Sequence, residues 1–265
     1  MLPSLDRWYC MTDKPDIINQ FGRVSHAYAS SNDFASGDDL DILMNLLKPD
    51  LSMTVLDVAT GAGHTAVKIA PHVRHVVAID ITPEMIDRTQ EIITSQKIKN
   101  VTPMLTDAEA LSFSDGLFDA VTVRFAPHHF GDVKKFLSET SRILKAGGSF
   151  VIEDVSSPLD MEQDKFINEI NKIRDPTHHR SYNPSEWKDM LEKAGFQVQL
   201  IQNYRRTYDL KTWLERAGAD EIAKTMIQKM CYSASDDIKS HFEIPNDKNV
   251  ALSFTEDNVI ILSKV

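Results

Sequence analysis

The sequence has few cysteines, no long apolar run and a deficit of positive charge. Its two cysteines, Cys10 and Cys231, lie far apart with no paired spacing, which favours reduced thiols in a cytoplasmic protein over a disulfide framework. No run approaches the roughly 18 apolar residues of a membrane span. Lys and Arg number 29 against 39 Asp and Glu, so the formal net charge is -10. This balance disfavours broad contacts with nucleic acid and favours a small-molecule substrate.

The composition is that of an ordinary globular protein. The chain has 265 residues, of which 42% are hydrophobic and 26% are charged. One main core is therefore expected, as in a doubly wound α/β domain with one insertion. The N-terminus has neither a basic leader nor an apolar segment, so a secretory signal is not expected, and Met11 is an alternative start.

An apolar strand followed by a glycine turn organises the chain. Residues 54–58 form the first apolar run, Gly61 and Gly63 follow, and a second run over 75–79 ends on Asp80. A strand, a glycine turn, a helix and a second strand make a βαβ unit. Its ligand is expected at the carboxyl ends of the strands.

Strand and helix patterns alternate through most of the chain, which predicts a parallel sheet. One helix is predicted over 83–96, with the Thr82 hydroxyl as its cap, and another over 132–144, stopped by Gly147 and Gly148. The other predicted elements are a helix that follows Asp38 and is stopped by Pro49, a helix between Gly63 and Pro71, strands at 101–105, 118–123, 149–154, 196–203, 249–255 and 258–264, helices at 184–195, 210–217 and 219–231, and a polar helical insertion at 156–183.

The glycine turn permits more than one kind of ligand. Gly61 and Gly63 have no Cβ, so the backbone can approach a ligand closely while the next helix presents free N–H groups. The same spacing matches the dinucleotide pattern, and an ordinary turn between strand and helix is a further alternative.

Three aspartates at strand ends reduce the number of ligands that fit the glycine turn. Asp57 precedes the glycines, where a pyrophosphate would meet a negative charge, so a cationic amine is the better partner. Asp80 can accept hydrogen bonds from two ribose hydroxyls, and Asp107 can accept one from an adenine amine, with the Ala108 backbone completing the base edge. Each of Asp80 and Asp107 taken alone is also compatible with a cap or a solvated turn.

In combination these motifs carry a resemblance to a known family. The sequence resembles class I S-adenosylmethionine-dependent methyltransferases over about residues 35–205, and is most similar to the branch of the ubiquinone/menaquinone C-methyltransferases. The motifs that carry the resemblance are Asp57-Val58-Ala59-Thr60-Gly61-Ala62-Gly63, Asp80, Asp107-Ala108-Glu109 and Ile143-Leu144-Lys145-Ala146-Gly147-Gly148. The departures are Ala59 in place of a glycine and Ala146 in place of a proline.

The resemblance implies S-adenosylmethionine as cofactor, with S-adenosylhomocysteine as product. It also implies a set of cofactor-binding residues at the strand ends: Asp57, Ala59, Thr60, Gly61, Gly63, Asp80, Ile81, Met85, Asp107, Ala108, Arg124 and Phe125. The segment from Arg124 to His129 differs from that of the quinone enzymes, so the quinone substrate is not carried over.

Histidines supply the candidate catalytic groups. His128 and His129 follow strand four and can titrate near neutral pH, so one of them is a candidate general base, although a structural or solvated pair is the alternative. Candidate substrate-binding residues are Tyr28, His178, His179 and Tyr182. No metal is expected, because adjacent histidines seldom converge on one ion and no H-x-x-x-H or C-x-x-C spacing is present.

The sequence therefore predicts a cytoplasmic methyltransferase with a doubly wound, Rossmann-like α/β fold and a seven-stranded, mainly parallel sheet. Residues 1–37 are expected to form an arm over the pocket, and 38–265 the methyltransferase domain, with a substrate-side insertion at 156–183. Methyl transfer to a small molecule is an in-line displacement at the methyl carbon, and the accepting atom can be carbon, nitrogen, oxygen or sulfur. The alternatives are a nicotinamide-dependent oxidoreductase, a cofactor-binding protein without catalysis and, less favoured, an RNA methyltransferase; a homodimer is compatible with the sequence.

Overall fold

The computed structural model describes residues 14–29, 37–247 and 252–265, and within them a seven-stranded sheet is flanked by helices. Its strands are β1 (Thr54–Val58), β2 (His75–Asp80), β3 (Val101–Leu105), β4 (Phe118–Arg124), β5 (Leu144–Val155), β6 (Gln197–Asp209) and β7 (Ser253–Lys264). The strand order is β3-β2-β1-β4-β5-β7-β6, and β7 runs antiparallel to both of its neighbours. The predicted fold class is confirmed.

Helices cover both faces of the sheet. They are α1 (Pro15–Ala29), α2 (Asp38–Leu47), α3 (His64–Ile69), α4 (Pro83–Ser95), α5 (Val133–Ile143), α6 (Met161–Arg174), α7 (Pro184–Lys193), α8 (Leu210–Arg216), α9 (Glu221–Ser233) and α10 (Asp236–His241). The central strands read as continuous apolar runs because neither of their faces meets water.

Three hydrophobic clusters hold these layers together. Two of them lie on opposite faces of the sheet, around Phe150 and Val55 respectively. The third cluster joins α6 and α8–α10 to the N-terminal end of β7. It is centred on Trp213, Phe242 and Phe254, all of which are buried. The segment after β5 therefore has a core of its own beside the carboxyl ends of the strands.

The predicted final pair of strands is wrong, because β7 is one continuous strand. The predicted break falls at Glu256 and Asp257, but the backbone of both residues stays in register with β6. Their side chains are also satisfied, since Glu256 accepts a hydrogen bond from Asn171 and Asp257 pairs with Arg205. Residues 248–251, which the prediction included, lie outside the described part of the chain.

Several element ends also need correction. The glycine pair does not end α5, which stops at Ile143; both glycines lie within β5, where Gly147 has a φ of 76°. Strand β6 runs six residues past its predicted end at Asn203. Helix α10 was not predicted.

The cap of α4 differs from the prediction as well. Thr82 occupies the N-cap position, but its hydroxyl makes no capping hydrogen bond. Its backbone N–H donates instead to Asp80 Oδ1 at 2.9 Å. The carboxylate that ends β2 thus takes part in starting the next helix.

Among the described residues, the longest and most apolar helices fall short of what a membrane crossing requires.

Candidate active site

The loop between β1 and α3 contains three left-handed residues in five positions. Ala59, Gly61 and Gly63 have φ angles of 50°, 56° and 86°. The two glycines have different structural roles. A Cβ on Gly63 would lie 2.8 Å from Thr89 Cγ2, whereas a Cβ on Gly61 would meet nothing within 4 Å. Gly63 therefore allows helix packing, and Gly61 leaves the backbone open to a ligand.

Asp80 fastens this loop to the end of β2. Its Oδ2 accepts the Gly61 N–H and its Oδ1 accepts the Thr82 N–H, each at 2.9 Å. Burial raises the pKa of the Asp80 carboxyl, and these two backbone N–H groups oppose that rise. Each oxygen keeps lone-pair capacity, so the carboxylate can also accept from two vicinal hydroxyls.

Asp57 is held by two hydroxyls. Thr60 donates to its Oδ2 at 2.6 Å and Thr122, its neighbour in register on β4, donates to its Oδ1 at 2.7 Å. Burial raises the pKa of Asp57 to about 6, against the hydrogen bonds from the two threonines. Pairing of this carboxylate with an amine stays a prediction.

The strand ends surround a cavity, here called the glycine-loop cavity, of about 990 Å³ including its open mouth. Gly63 is the one predicted cofactor residue that does not line it. The other eleven do: Asp57, Ala59, Thr60, Gly61, Asp80, Ile81, Met85, Asp107, Ala108, Arg124 and Phe125. The cavity lies where the strand order reverses between β1 and β4, which is the usual ligand site of such sheets.

Helix α1 closes one side of the glycine-loop cavity. Its Ile17 and Phe21, with Lys14 just before the helix, line the wall. The Lys14 ammonium lies 3.1 Å from Asp107 Oδ1 and 2.6 Å from Glu109 Oε1. Sequence reasoning missed Lys14, because a single lysine ahead of a helix has no local signature.

A second cavity, here called the arginine cavity, adjoins the first. Phe125 and His129 line both. The arginine cavity encloses about 590 Å³ including open solvent, and its walls carry three arginines, three histidines and several aromatic or acidic side chains. Those used below are His128, His129, His178, Arg174, Arg206, Arg216, Tyr208, Trp213, Asp175 and Glu256.

His128 forms a dyad with Asp154, which ends β5 and is buried. The imidazole Nδ1 lies 2.5 Å from Asp154 Oδ1, and the His128 backbone N–H donates to Oδ2 at 2.9 Å. A carboxylate accepts, so Nδ1 carries the proton and Nε2 keeps its lone pair. Within the described part of the chain, Nε2 has no hydrogen-bond partner.

His129 and His178 are neutral neighbours of this dyad. The Nδ1–H of His129 donates to the Thr177 carbonyl at 3.2 Å, and burial holds the pKa of His129 well below its usual range. Burial, helped by the nearby His128 and Arg174, lowers the pKa of His178 to about 2. The three histidines come together, yet no metal-binding group of three His, Cys, Asp or Glu side chains occurs in the described ranges.

The remaining candidate residues are placed apart from these cavities. His179 is exposed, and Tyr182 packs edge-on against Trp187 with ring centroids 5.4 Å apart. The Tyr28 side chain lies outside the described part of the chain. Substrate-binding roles for these three residues, as for His178, stay predictions.

A buried ionic network lies between the two cavities. Asp39 on α2 accepts from Arg124 at 2.6 Å and from Arg206 at 2.8 Å. Arg124 lines the glycine-loop cavity and Arg206 the arginine cavity. Burial raises the pKa of Glu153 to about 7, against the charge of Arg124, and Tyr204 donates to this carboxyl group at 2.5 Å.

Comparisons with known proteins agree with this architecture. A family model described as a methyltransferase domain matches residues 49–195. The chain is 33% identical over 229 residues to the uncharacterized methyltransferase YcgJ of Bacillus subtilis, covering 86% of this chain and 90% of that protein. The crystal structure of YcgJ gives a TM-score of 0.83 at 32% identity, over 86% of this chain and 97% of that one.

A further relative is the ubiquinone/menaquinone biosynthesis C-methyltransferase UbiE of Zymomonas mobilis, 29% identical over 203 residues, or 66% of this chain and 82% of that protein. The fold is that of class I methyltransferases. The chain belongs to the methyltransferase family, so the resemblance and the predicted enzyme class are confirmed. The nicotinamide alternative is not favoured.

Proposed function

We propose that the chain binds S-adenosylmethionine in the glycine-loop cavity and transfers its methyl group to a small molecule held in the arginine cavity. The observation that carries this proposal is the convergence of eleven predicted residues, from four strand ends, on one cavity that adjoins a second. When bound, the cofactor supplies an electrophilic methyl group on a sulfonium that departs as a neutral thioether.

The residues present fit that cofactor. Asp80, whose oxygens each accept one backbone N–H, accepts the ribose hydroxyls. Asp107 and the Ala108 backbone face the adenine edge, with Met85 as an apolar side wall. Asp57 and the exposed Gly61 backbone hold the amino acid end. The described part of the predicted arm, helix α1 with Lys14 before it, covers one side of this cavity.

His128 is the proposed general base when the acceptor must lose a proton. Its Nε2 lone pair is oriented by the hydrogen bond from Nδ1 to Asp154, and the carboxylate stabilises the imidazolium that forms. His129 is the weaker candidate, because burial lowers its pKa and so makes it a poor proton acceptor, and because no carboxylate among the described residues pairs with it. Phe125 and His129 separate the two cavities, so an acceptor that meets them is directed toward the methyl group.

We also propose a cytoplasmic protein that acts on a small molecule. Cys231 is a buried free thiol, which fits a reducing compartment. The net charge of -10 argues against a nucleic-acid substrate.

Calorimetric titration with S-adenosylmethionine, S-adenosylhomocysteine and NADH tests the cofactor. Both sulfur nucleosides are expected to bind, and Asp80→Ala is expected to weaken them at least 100-fold, from about two lost hydrogen bonds to a charged group. Asp87→Ala, an exposed aspartate on α4, is the matched control. Binding of NADH alone, or of no nucleotide, contradicts the proposal.

Catalysis is tested separately with methyl-tritiated cofactor and a collection of small acceptors. Transfer should fall by about 10²–10⁴-fold in His128→Gln while affinity for S-adenosylhomocysteine is unchanged. Transfer that persists in the variant excludes His128 as the base. Cofactor binding without transfer to any acceptor would favour the cofactor-binding protein without catalysis.

A further inference from the structure

Three arginines from three separate elements line the arginine cavity. Arg174 ends α6, Arg206 lies on β6 and Arg216 ends α8. The whole chain carries 29 basic against 39 acidic residues, so this concentration of positive charge is local and does not follow from composition. Arginines gathered in a concave site are typical of carboxylate and phosphate binding.

Arg174 is held so that one edge of its guanidinium stays available. Its Nε donates to the Trp213 carbonyl at 3.1 Å, and its guanidinium carbon lies 4.2 Å from the centre of the buried Trp213 ring. Among the described residues, Arg174 makes no salt bridge. The two terminal nitrogens, a fork that matches two oxygens of an oxyanion, therefore have no carboxylate partner in this part of the chain.

The acidic groups of the cavity accept hydrogen bonds from residues other than the three arginines. Asp175 Oδ1 accepts the Thr177 N–H and hydroxyl, at 2.9 and 2.7 Å. Glu256 accepts from Asn171 at 3.0 Å, and burial raises the pKa of this glutamate. Neither acid forms a salt bridge within the described ranges. The third arginine, Arg206, is matched by Asp39, which lies outside the cavity lining.

The cavity also offers aromatic surface. Trp213 underlies Arg174, the Arg216 guanidinium lies 5.4 Å from the centre of the Tyr208 ring, and Phe125 forms the wall shared with the glycine-loop cavity. Burial, with the charge of Glu256, raises the pKa of Tyr208 to about 12, so its hydroxyl remains a hydrogen-bond donor at neutral pH.

We propose that the arginine cavity binds an oxyanion of the methyl acceptor, a carboxylate or a phosphate, through the terminal nitrogens of Arg174, with Arg216 and the Tyr208 hydroxyl beside it. Anchored at this end, the ligand presents its other end to Phe125 and His129, beyond which the methyl donor lies. The acceptor is thus an organic anion. Its role as acceptor rests on the proposed function, whereas the anion site itself does not.

The test is titration of the full chain, with and without S-adenosylhomocysteine, with three probes of one shape. Benzoate and phenyl phosphate carry the two anionic groups, and benzamide is the neutral control. Benzoate or phenyl phosphate should bind at low ionic strength and benzamide should not, and the tighter anion distinguishes carboxylate from phosphate recognition. Equal binding of benzamide, or binding of neither anion, overturns the proposal.

Substitutions locate the site. Arg174→Gln should weaken the anion at least tenfold, and Glu256→Gln should strengthen it severalfold by removing a nearby negative charge. The matched control is Arg205→Gln, next to Arg206 but on the solvent side of β6, where the arginine pairs with Glu243; it should change affinity less than twofold. An unchanged affinity in Arg174→Gln overturns the assignment.

Two further measurements distinguish a loss of anion binding from a loss of folding. Arg174→Gln should lower the melting temperature by a few degrees, because it loses the hydrogen bond and the ring contact with Trp213, and should leave the affinity for S-adenosylhomocysteine unchanged. If this variant fails to fold, Arg216→Gln replaces it with an expected loss of at least threefold in anion affinity. Anion binding that depends on Arg174 without nucleoside binding supports the anion site and contradicts the proposed function. Nucleoside binding without anion binding supports the cofactor site of the proposed function and contradicts the anion site.

Discussion

The glycine-loop cavity and the arginine cavity share two wall residues but are built in different ways. The first is formed mainly by backbone turns and short side chains at the ends of neighbouring parallel strands, such as Gly61, Asp80 and Ala108. The second is formed by long side chains from the segment after β5, such as Arg174 and Arg216, over a separate hydrophobic core. In the proposed function, the ends of the parallel strands would hold the methyl donor and the added helices would hold the acceptor.

The two cavities are nevertheless joined by charge. Asp39, with a side chain only 1% exposed, pairs with one arginine from each cavity wall. A buried carboxylate with two arginine partners is costly to remove, because its loss takes the carboxylate partner from Arg206 and leaves Arg124 with Glu153 in a low dielectric. The comparison therefore makes Asp39 the residue whose loss should affect both cavities together.

The largest expected effect follows from this network. Asp39→Ala should lower the free energy of unfolding by about 3–5 kcal/mol, because Arg124 and Arg206 lose a buried partner. Urea denaturation measures the change. Asp41→Ala on the same helix is the control; Asp41 is 67% exposed and pairs with Lys68, so its loss should cost less than about 1 kcal/mol. Similar costs for the two variants would show that the cavities are not coupled through Asp39.

A second prediction concerns pH. Burial raises the pKa of Asp57 from its ordinary 3.8 to about 6, so the folded state keeps a proton that the unfolded state loses. The contribution of Asp57 to the free energy of unfolding is fully present below pH 4 and is lost as the pH rises through about 6. The loss is up to about 3 kcal/mol. Asp57→Asn should remove that loss.

Urea midpoints at pH 4 and pH 7 test this. The stability of Asp57→Asn relative to the native chain should rise between the two values, whereas Asp87→Asn, at an exposed site, should follow the native profile. Parallel profiles for Asp57→Asn and the native chain would contradict the prediction. The shifted pKa values of His129, His178 and Glu256 in the arginine cavity are common to the native chain and both variants, so their contribution cancels from these comparisons.

The contrast also explains which residues sequence reasoning could predict. Asp57, Asp80 and Asp107 follow their strands directly, and the carboxyl ends of parallel strands meet, so a local pattern placed them together. The same rule could have paired His128 with Asp154, because β4 and β5 are neighbours and end at the same edge. That partnership was missed although both strands were predicted.

The arginines had no comparable signal. Arg174 and Arg216 end two short helices, where basic residues are common for electrostatic reasons alone. Arg206 shares the inward face of β6 with Tyr204 and Tyr208, but β6 was predicted to end at Asn203 and β7 to be broken, so that face could not be assigned. Contacts distant in sequence, and the third core on which these elements rest, decided the geometry.

Substitutions of Gly61 and Gly63 should separate the effects of the glycine loop on stability from its effects on ligand binding. Gly63→Ala should lower the free energy of unfolding by about 1–3 kcal/mol, because the new Cβ meets Thr89 and the φ of 86° disfavours alanine. Gly61→Ala should cost only about 1 kcal/mol, from strain alone, yet weaken S-adenosylhomocysteine more strongly than Gly63→Ala. Denaturation and calorimetry on both variants measure the two effects, and the reverse order of affinities would contradict the assignment of Gly61 to ligand contact.

The smallest expected effect is at Ala59, which stands where the family usually has glycine. Its φ of 50° strains an alanine by about 1–2 kcal/mol. Glycine relieves this strain but adds about 0.5–1 kcal/mol of unfolded-state entropy, so Ala59→Gly should stabilise by at most about 1 kcal/mol. Affinity for S-adenosylhomocysteine should be retained, because the loop already has the turn that glycine favours. Ala59→Val, β-branched at the same φ, should instead destabilise clearly in the same denaturation experiment. If Ala59→Gly abolished nucleoside binding, the Ala59 methyl group would be a contact that the cavity needs, and the departure from the family motif would be functional.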